Sequence, residues 1–399
     1  MTSKASHVPP GGTINLTTGP SQSQVAAVIQ MAQPVESHYD PGFTDRYKVV
    51  LDLLAQAFET DKEPLILHGE CVMAIESAAA SVLDDSSVLL NLVSGPYGRA
   101  YGVWAERYAG EVVTLEVPYD EVIDAEQVRQ ALEERPDVTA VAAVHCETPC
   151  GTVDPLGEIG PVVNEHGALF LVDAVSSFAG QEVLPEEWKA DILVGGPQKC
   201  LGGPPGLSLV YVSDRAWERM EANPRAPRAS YISIVDWRKI DVGTDFPFTP
   251  FVSCVYSLEG SLRTYLDRGP ENVWAEHARV AKATREGAKA MGLSIYARDE
   301  STCSDTVTAL KAPEGVDANA VVDWMRQNYG VMLVPSTGEM KGKTFRFGHM
   351  GTSASPLYAA LNVTALGIGL RAHGVKVDVG AGIDAVVESL AEGHPTPGQ

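Results

Sequence analysis

The chain has 399 residues, of which 45 % are apolar and 37 are glycine, the composition of a globular protein with room for one large and one small domain. Its net charge of −22 excludes a nucleic-acid backbone or an anionic membrane as the expected partner, although a small-molecule site can be locally cationic on an acidic protein. No apolar run has the length of a membrane span, and the polar stretch 1–12 reads as a loose arm rather than a signal peptide, so a cytoplasmic protein is expected. The cysteines, at 71, 146, 150, 200, 254 and 303, form no CxxC pair. Cys146 and Cys150 lack the second pair of ligands that a zinc site needs, so reduced thiols and no metal are expected.

Apolar strand-like runs at 65–68, 88–93, 112–117, 140–145, 169–173, 191–194 and 207–212 alternate with helix-length segments, among them 72–83 and 98–108. Continuous apolar strands alternating with helices predict an α/β fold, a mostly parallel sheet covered on both faces. From about residue 256 the pattern changes. Two long helices, 256–268 and 271–291, are broken at Gly269-Pro270. A strand at 306–310, a helix at 318–329, a strand through Phe345-Arg346-Phe347 and a helix at 357–372 follow. The expected division is an N-terminal arm over 1–14, a large domain over 15–262 and a small α/β domain over 263–399.

In such sheets ligands bind beyond the carboxyl ends of the strands. His68-Gly69-Glu70, Ser94-Gly95-Pro96-Tyr97, His145-Cys146-Glu147-Thr148, Asp173 and Lys199 all fall at that edge. Lys199 stands on a Gly/Pro-rich turn directly after a strand, where an amine is poorly placed as a solvated charge and well placed to condense with an aldehyde. Asp173, at the end of another strand, is positioned to keep a pyridinium nitrogen protonated, or to cap the turn containing Ser176 and Ser177. An amine and a carboxylate in these roles are what a pyridoxal-type ring requires of a protein.

The runs Leu16-Thr17-Thr18-Gly19-Pro20, Val172-Asp173-Ala174-Val175-Ser176-Ser177, Gln198-Lys199-Cys200-Leu201, Pro204-Pro205-Gly206 and Arg346-Phe347-Gly348-His349-Met350-Gly351 resemble those of the fold-type I, class V aminotransferases, the group that contains alanine–glyoxylate aminotransferase. The resemblance covers nearly the whole chain. It implies a large domain with a seven-stranded-type sheet, a small C-terminal domain, and a homodimer or dimer of dimers. It also implies pyridoxal or pyridoxal 5′-phosphate held as a Schiff base on Lys199, with Asp173 on the ring nitrogen. By the same resemblance Tyr97 and Val175 cover the two ring faces, Thr148 lies by the ring phenol oxygen, and Gln198 touches the ring edge. The segment 246–250, with Phe246 and Thr249, reaches the site of the partner subunit. Arg346 clamps the substrate carboxylate.

Within that group the chain resembles members that take the unphosphorylated vitamin as a substrate. In ordinary members the first glycine turn cradles a phosphate on a helix N-terminus. Here it reads His68-Gly69-Glu70-Cys71, and a carboxylate in that cup would repel a phosphate while accepting a hydrogen bond from a free hydroxymethyl group. Glu70 turned outward, as an acid on the first helical turn, is the other placement. Phe246 replaces a tyrosine of phosphate binders. One departure stands out: Thr337 occupies the position of a second carboxylate-binding arginine, with Lys341 and Lys343 nearby. The expected reaction is transamination between pyridoxamine and a small 2-oxo acid, pyruvate first. The alternative is a phosphate-retaining enzyme of transamination, elimination or carbon–carbon bond formation. A desulfurase would have to use Cys303, and a vitamin B6 sensor would need a DNA-binding module. His68, His145 and His349 read as structural.

Overall fold

The computed structural model describes residues 13–238 and 246–392; the expected arm, up to residue 12, lies outside these. Seven strands form the central sheet: β1 (Leu65–Leu67), β2 (Val88–Val93), β3 (Glu111–Glu116), β4 (Ala140–Val144), β5 (Leu169–Asp173), β6 (Ile192–Gly195) and β7 (Ser208–Val212), in the spatial order β1-β7-β6-β5-β4-β2-β3. β7 is antiparallel to both of its neighbours, and the remaining pairs are parallel. β1 therefore runs with the parallel strands, and its carboxyl end opens on the same edge as theirs.

The apolar runs alternate between two cores. Leu90, Val141, Val172 and Leu193 face one side of the sheet, and Leu89, Ala142, Leu171 and Val194 the other. Both faces are thus covered, which is why the central strands contain almost no polar residue. Helix α1 (Cys71–Val82) follows β1, and α2 (Pro96–Ala105) follows β2. α2 starts two residues before the stretch expected for it, because Pro96 is tolerated in the first turn, where its missing N–H is no loss. The long pair α3 (Val252–Arg268) and α4 (Pro270–Ala290) turns at Gly269, whose φ of 81° suits glycine, with Pro270 opening α4. A third core, built on Val280, Leu310, Val321, Phe345, Phe347 and Leu366, fills the small domain. It includes Leu16, from the N-terminal segment.

That segment ties the two parts together. Ile14–Asn15 pairs in parallel with Val331–Met332 of the small domain, and Gly348 N–H donates to the Leu16 carbonyl at 3.0 Å. A few residues on, the Ser21 and Gln24 N–H groups donate to the carbonyls of Gln198 and Gly202, each at 2.8 Å. The approach at Gly348 leaves no room for a side chain: a Cβ there would lie 2.1 Å from the Thr17 carbonyl oxygen. Gly348→Ala is expected to lower the unfolding free energy by about 1–3 kcal/mol, the cost of overpacking against backbone. Gly380→Ala, at a helical position whose nearest neighbour is Asp378 Oδ1 at 3.4 Å, is expected to raise it by up to about 1 kcal/mol. Urea denaturation of the two variants checks both signs.

Candidate active site

The carboxyl edge of the sheet brings Lys199, Asp173, Tyr97 and Glu70 into one electrostatic neighbourhood, which Arg346 joins from the strand Thr344–Gly348. Lys199 follows β6 on the turn Pro197-Gln198-Lys199. Its Nζ donates to the Thr18 carbonyl at 2.6 Å, and burial lowers its pKa against the opposing pull of Cys146, Cys200 and Asp173. Asp173 closes β5, where it is 7 % exposed. One of its oxygens accepts the Val175 N–H at 2.9 Å, so the capping role and the approach to Lys199 coexist in one side chain. Burial raises its pKa to about 6, opposed by the Val175 N–H and by the Lys199 charge.

Tyr97 lies in the first turn of α2. Burial and the Asp173 carboxylate push its phenol pKa up, and Arg346 pulls it back, so the phenol is within electrostatic reach of both charges. Thr148 Oγ1 is buried without a hydrogen-bond partner and is close enough to the Tyr97 phenol to act on it. Val175 is buried beside Gly196 and Gln198. Arg346 is buried on the small-domain strand Thr344–Gly348. Its Nη2 donates to the Pro335 carbonyl at 2.8 Å, and its Nε has no partner. A buried guanidinium with a free donor and no carboxylate beside it among the described residues suits an incoming carboxylate. Thr337 is exposed and precedes a short 3-10 turn.

Glu70 is exposed at the start of α1. It is the N-cap of α1, with Oε2 accepting the Val72 N–H at 3.0 Å. Its Oε1 accepts from Gln198 Nε2 at 3.2 Å, so the carboxylate faces the residue next to Lys199. The helix N-terminus that would otherwise offer bare N–H groups to an anion is already engaged by an acid of the chain itself.

Phe246 and Thr249 are not brought to Lys199 within one chain. The Phe246 ring packs among Tyr47 at 5.1 Å, Phe43 at 5.9 Å and Trp237 at 6.5 Å. Thr249 is exposed beside a shallow cleft lined by His38 and Phe251. The histidines are structural. His68 stacks on Trp237 and its Nδ1 accepts the Phe251 N–H; His145 meets Ser177 Oγ at 2.7 Å; His349 meets Thr308 Oγ1 at 2.8 Å. Burial drops each pKa to about 3, so all are neutral. Cys303 is a poor nucleophile, since burial raises its thiol pKa.

Two participants escaped the sequence reading. One is the Thr18 carbonyl with Gly19, where a Cβ would come within 2.4 Å of Lys199 Nζ; the signal was the Gly19-Pro20 pair, which carries no side-chain chemistry. The other is Glu147, 1 % exposed, whose oxygens accept the N–H groups of Tyr97 and Gly98 at 3.1 and 2.6 Å. Among the described residues no cluster of His, Cys, Asp or Glu could hold a metal, and no helix is long and apolar enough to cross a membrane.

Comparison with known proteins identifies the family. The profile of the family "Aminotransferase class-V" matches residues 103–344. The chain is 47 % identical over 375 residues to pyridoxamine–pyruvate transaminase of Mesorhizobium japonicum, covering 94 % of this chain and 95 % of that one. It is 30 % identical to serine–glyoxylate aminotransferase of Methylorubrum extorquens, covering 96 % and 97 %. Among solved structures, pyridoxamine–pyruvate aminotransferase from Mesorhizobium loti superposes with a TM-score of 0.93 at 45 % identity, covering 96 % of this chain and 98 % of that one. Ureidoglycine–glyoxylate aminotransferase from Bacillus subtilis follows with a TM-score of 0.89 at 29 % identity, covering 94 % and 97 %. The α/β architecture is that of the fold-type I aminotransferases, and the chain belongs to the class V aminotransferase family.

Proposed function

We propose that this chain moves an amino group between pyridoxamine and a small 2-oxo acid, pyruvate first, giving pyridoxal and the amino acid. The observation that carries this reading is Glu70, a carboxylate bonded into the helix N-terminus and to Gln198, where a phosphate binder needs unoccupied donors. A phosphate dianion about 4 Å away would meet several kcal/mol of repulsion at intermediate dielectric, whereas a neutral hydroxymethyl group can donate to the same oxygens. The near relative that carries pyridoxamine and pyruvate in its name supports the same choice.

The vitamin supplies a reactive carbonyl or amine carbon conjugated to an electron-withdrawing ring. The residues present fit it. The partnerless Thr148 hydroxyl suits the ring phenol oxygen, and Tyr97 and Val175 suit the ring faces. Asp173 holds the ring nitrogen's proton, and that interaction returns its raised pKa toward the ordinary carboxylate range. Lys199 Nζ, kept uncharged more readily than a solvated lysine by burial, carries the proton between the two carbons that exchange it. Arg346 binds the oxo-acid carboxylate through the guanidinium edge that includes its partnerless Nε. The protein acts as a homodimer in the cytoplasm on this reading, with Phe246 and Thr249 offered to the partner's site across the subunit boundary, and Thr337 loosens the grip on the oxo acid relative to enzymes with a second arginine there.

A visible-absorbance titration of the protein with pyridoxal and with pyridoxal phosphate is the first test: pyridoxal is expected to be taken up preferentially. Glu70→Ser, which keeps a capping oxygen and removes the charge, is expected to tighten phosphate-ester binding at least about tenfold by relieving the repulsion. Preference of the wild type for the ester, with no turnover of pyridoxamine, overturns the proposal in favour of a phosphate-retaining enzyme. Arg346→Lys is expected to raise KM for pyruvate by roughly 10–100-fold through loss of the bidentate fork, leaving vitamer uptake unchanged.

Asp173 also makes a statement about pH. Its pKa is raised from 3.8 to about 6 in the folded protein, so between those values the folded state binds the extra proton. Its stabilising contribution is complete below about pH 4 and is lost as pH rises through 6. Ligand-free Asp173→Asn is therefore expected to melt above the wild type at pH 8, with the gap closing toward pH 4, while transamination falls by about 100-fold or more. Thermal melts at the two pH values decide it.

A further inference from the structure

Glu147 is a buried acid with no cation to pair with among the described residues; its bonds go to two consecutive backbone N–H groups, those of Tyr97 and Gly98. Burial and the like charges of Asp154 and Asp173 push its pKa up to about 8 in spite of both N–H donors, so the chain keeps an unfavourable group here. The surrounding turn is shaped to admit it. A Cβ at Gly95 would lie 2.5 Å from the Glu147 carboxyl carbon, and one at Gly98 would lie 2.7 Å from the Leu92 carbonyl oxygen and 3.4 Å from Glu147 Oε1. Gly95 and Gly98 flank Pro96-Tyr97, and the Tyr97 phenol is the group of that turn that feels the charges of Asp173 and Arg346. Thr148, with its partnerless hydroxyl, is the next residue after Glu147.

We infer that Glu147 is a positioning residue: its two oxygens fix the backbone of Tyr97 and Gly98, and so set where the Tyr97 ring lies over the vitamin ring. A neutral amide at the same place offers one acceptor oxygen and turns its NH₂ toward the second N–H, so it holds one of the two backbone groups and releases the other. The bound ring thereby loses a fixed face, while Arg346, on another strand and another domain, keeps its place. This inference rests on the proposed use of a vitamin B6 ring.

The test is a double-mutant cycle of Glu147→Gln and Tyr97→Ala, read by the visible-absorbance titration with pyridoxal and by KM for pyridoxamine and for pyruvate. Glu147→Gln is expected to weaken pyridoxal binding and raise KM for pyridoxamine by about tenfold, the loss of one of the two backbone hydrogen bonds that hold the turn. KM for pyruvate is expected to stay within about twofold, and the same substitution on the Tyr97→Ala background to add less than about twofold, as for a residue acting through Tyr97. Equal weakening on both backgrounds, or a parallel rise in KM for pyruvate, overturns the inference. Hydrogen exchange of the unmodified protein gives a second reading: the Tyr97 and Gly98 amides are expected to be protected although they begin a helix, and fast exchange at both overturns it. Wild-type protein that takes up neither vitamer overturns the proposed function as well; wild-type uptake with an unaffected Glu147→Gln overturns this inference alone.

Discussion

The site depends on keeping charge out of water. Lys199, Asp173, Glu147 and Arg346 are all buried or nearly so, and an ionised group removed from water costs several kcal/mol unless bonded. The fold meets that cost with backbone groups more than with ion pairs. Thr18 and Pro335 lend carbonyls to the two cations, and Val175, Tyr97 and Gly98 lend N–H groups to the two acids. Backbone dipoles fixed by sheet and helix stay in place as a substrate arrives, whereas a side-chain counter-ion would compete with it. The charges stay available because their partners are neutral.

This arrangement explains why the N-terminal segment matters. Residues 14–24 pass from a strand pair in the small domain, over Lys199, to the turn that carries it. Gly348 and Gly19 are small where that segment presses against the Arg346 strand and against the lysine. Arg346 and Lys199 are therefore referenced to one short stretch of chain, which fixes the distance between the proposed carboxylate clamp and the proposed proton carrier.

The sequence makes the large outline readable for a plain reason: buried parallel strands must be apolar runs, and loops at their carboxyl ends carry the chemistry. Lys199 and Asp173 stood out because each follows or ends an apolar strand at the ligand edge, and Arg346 because it interrupts an apolar run. The antiparallel direction of β7 was not legible, since strand direction leaves no trace in an apolar pentapeptide. Thr18 acts through its carbonyl, an atom every residue has, and so carries no signal. Glu147 stood in a quoted motif without a role, because a carboxylate that binds N–H groups looks in sequence like one that binds a ligand. Phe246 was placed by resemblance at the partner subunit's site, and within one chain its ring packs beside Tyr47.

A vitamin that is substrate rather than resident cofactor changes what the lysine has to do. On the proposed reaction pyridoxal departs in every turnover, so Lys199 passes through its free form each time, and a solvated amine would be almost wholly protonated then and unreactive toward a carbonyl. Burial works against that protonation. The Thr18 carbonyl at 2.6 Å holds Nζ in one position during the free interval, so the next vitamer meets an oriented amine and not a mobile one. Glu70 acts at the other end of the same logic. A phosphate anchored on the α1 N-terminus would add several charge-assisted hydrogen bonds to retention of the ring, and with the chain's own carboxylate in that place the ring is held by contacts weak enough to release. On the proposed reaction, retention and release are thus set by one acidic residue at a helix start, and reactivity by one carbonyl on the segment that covers the lysine.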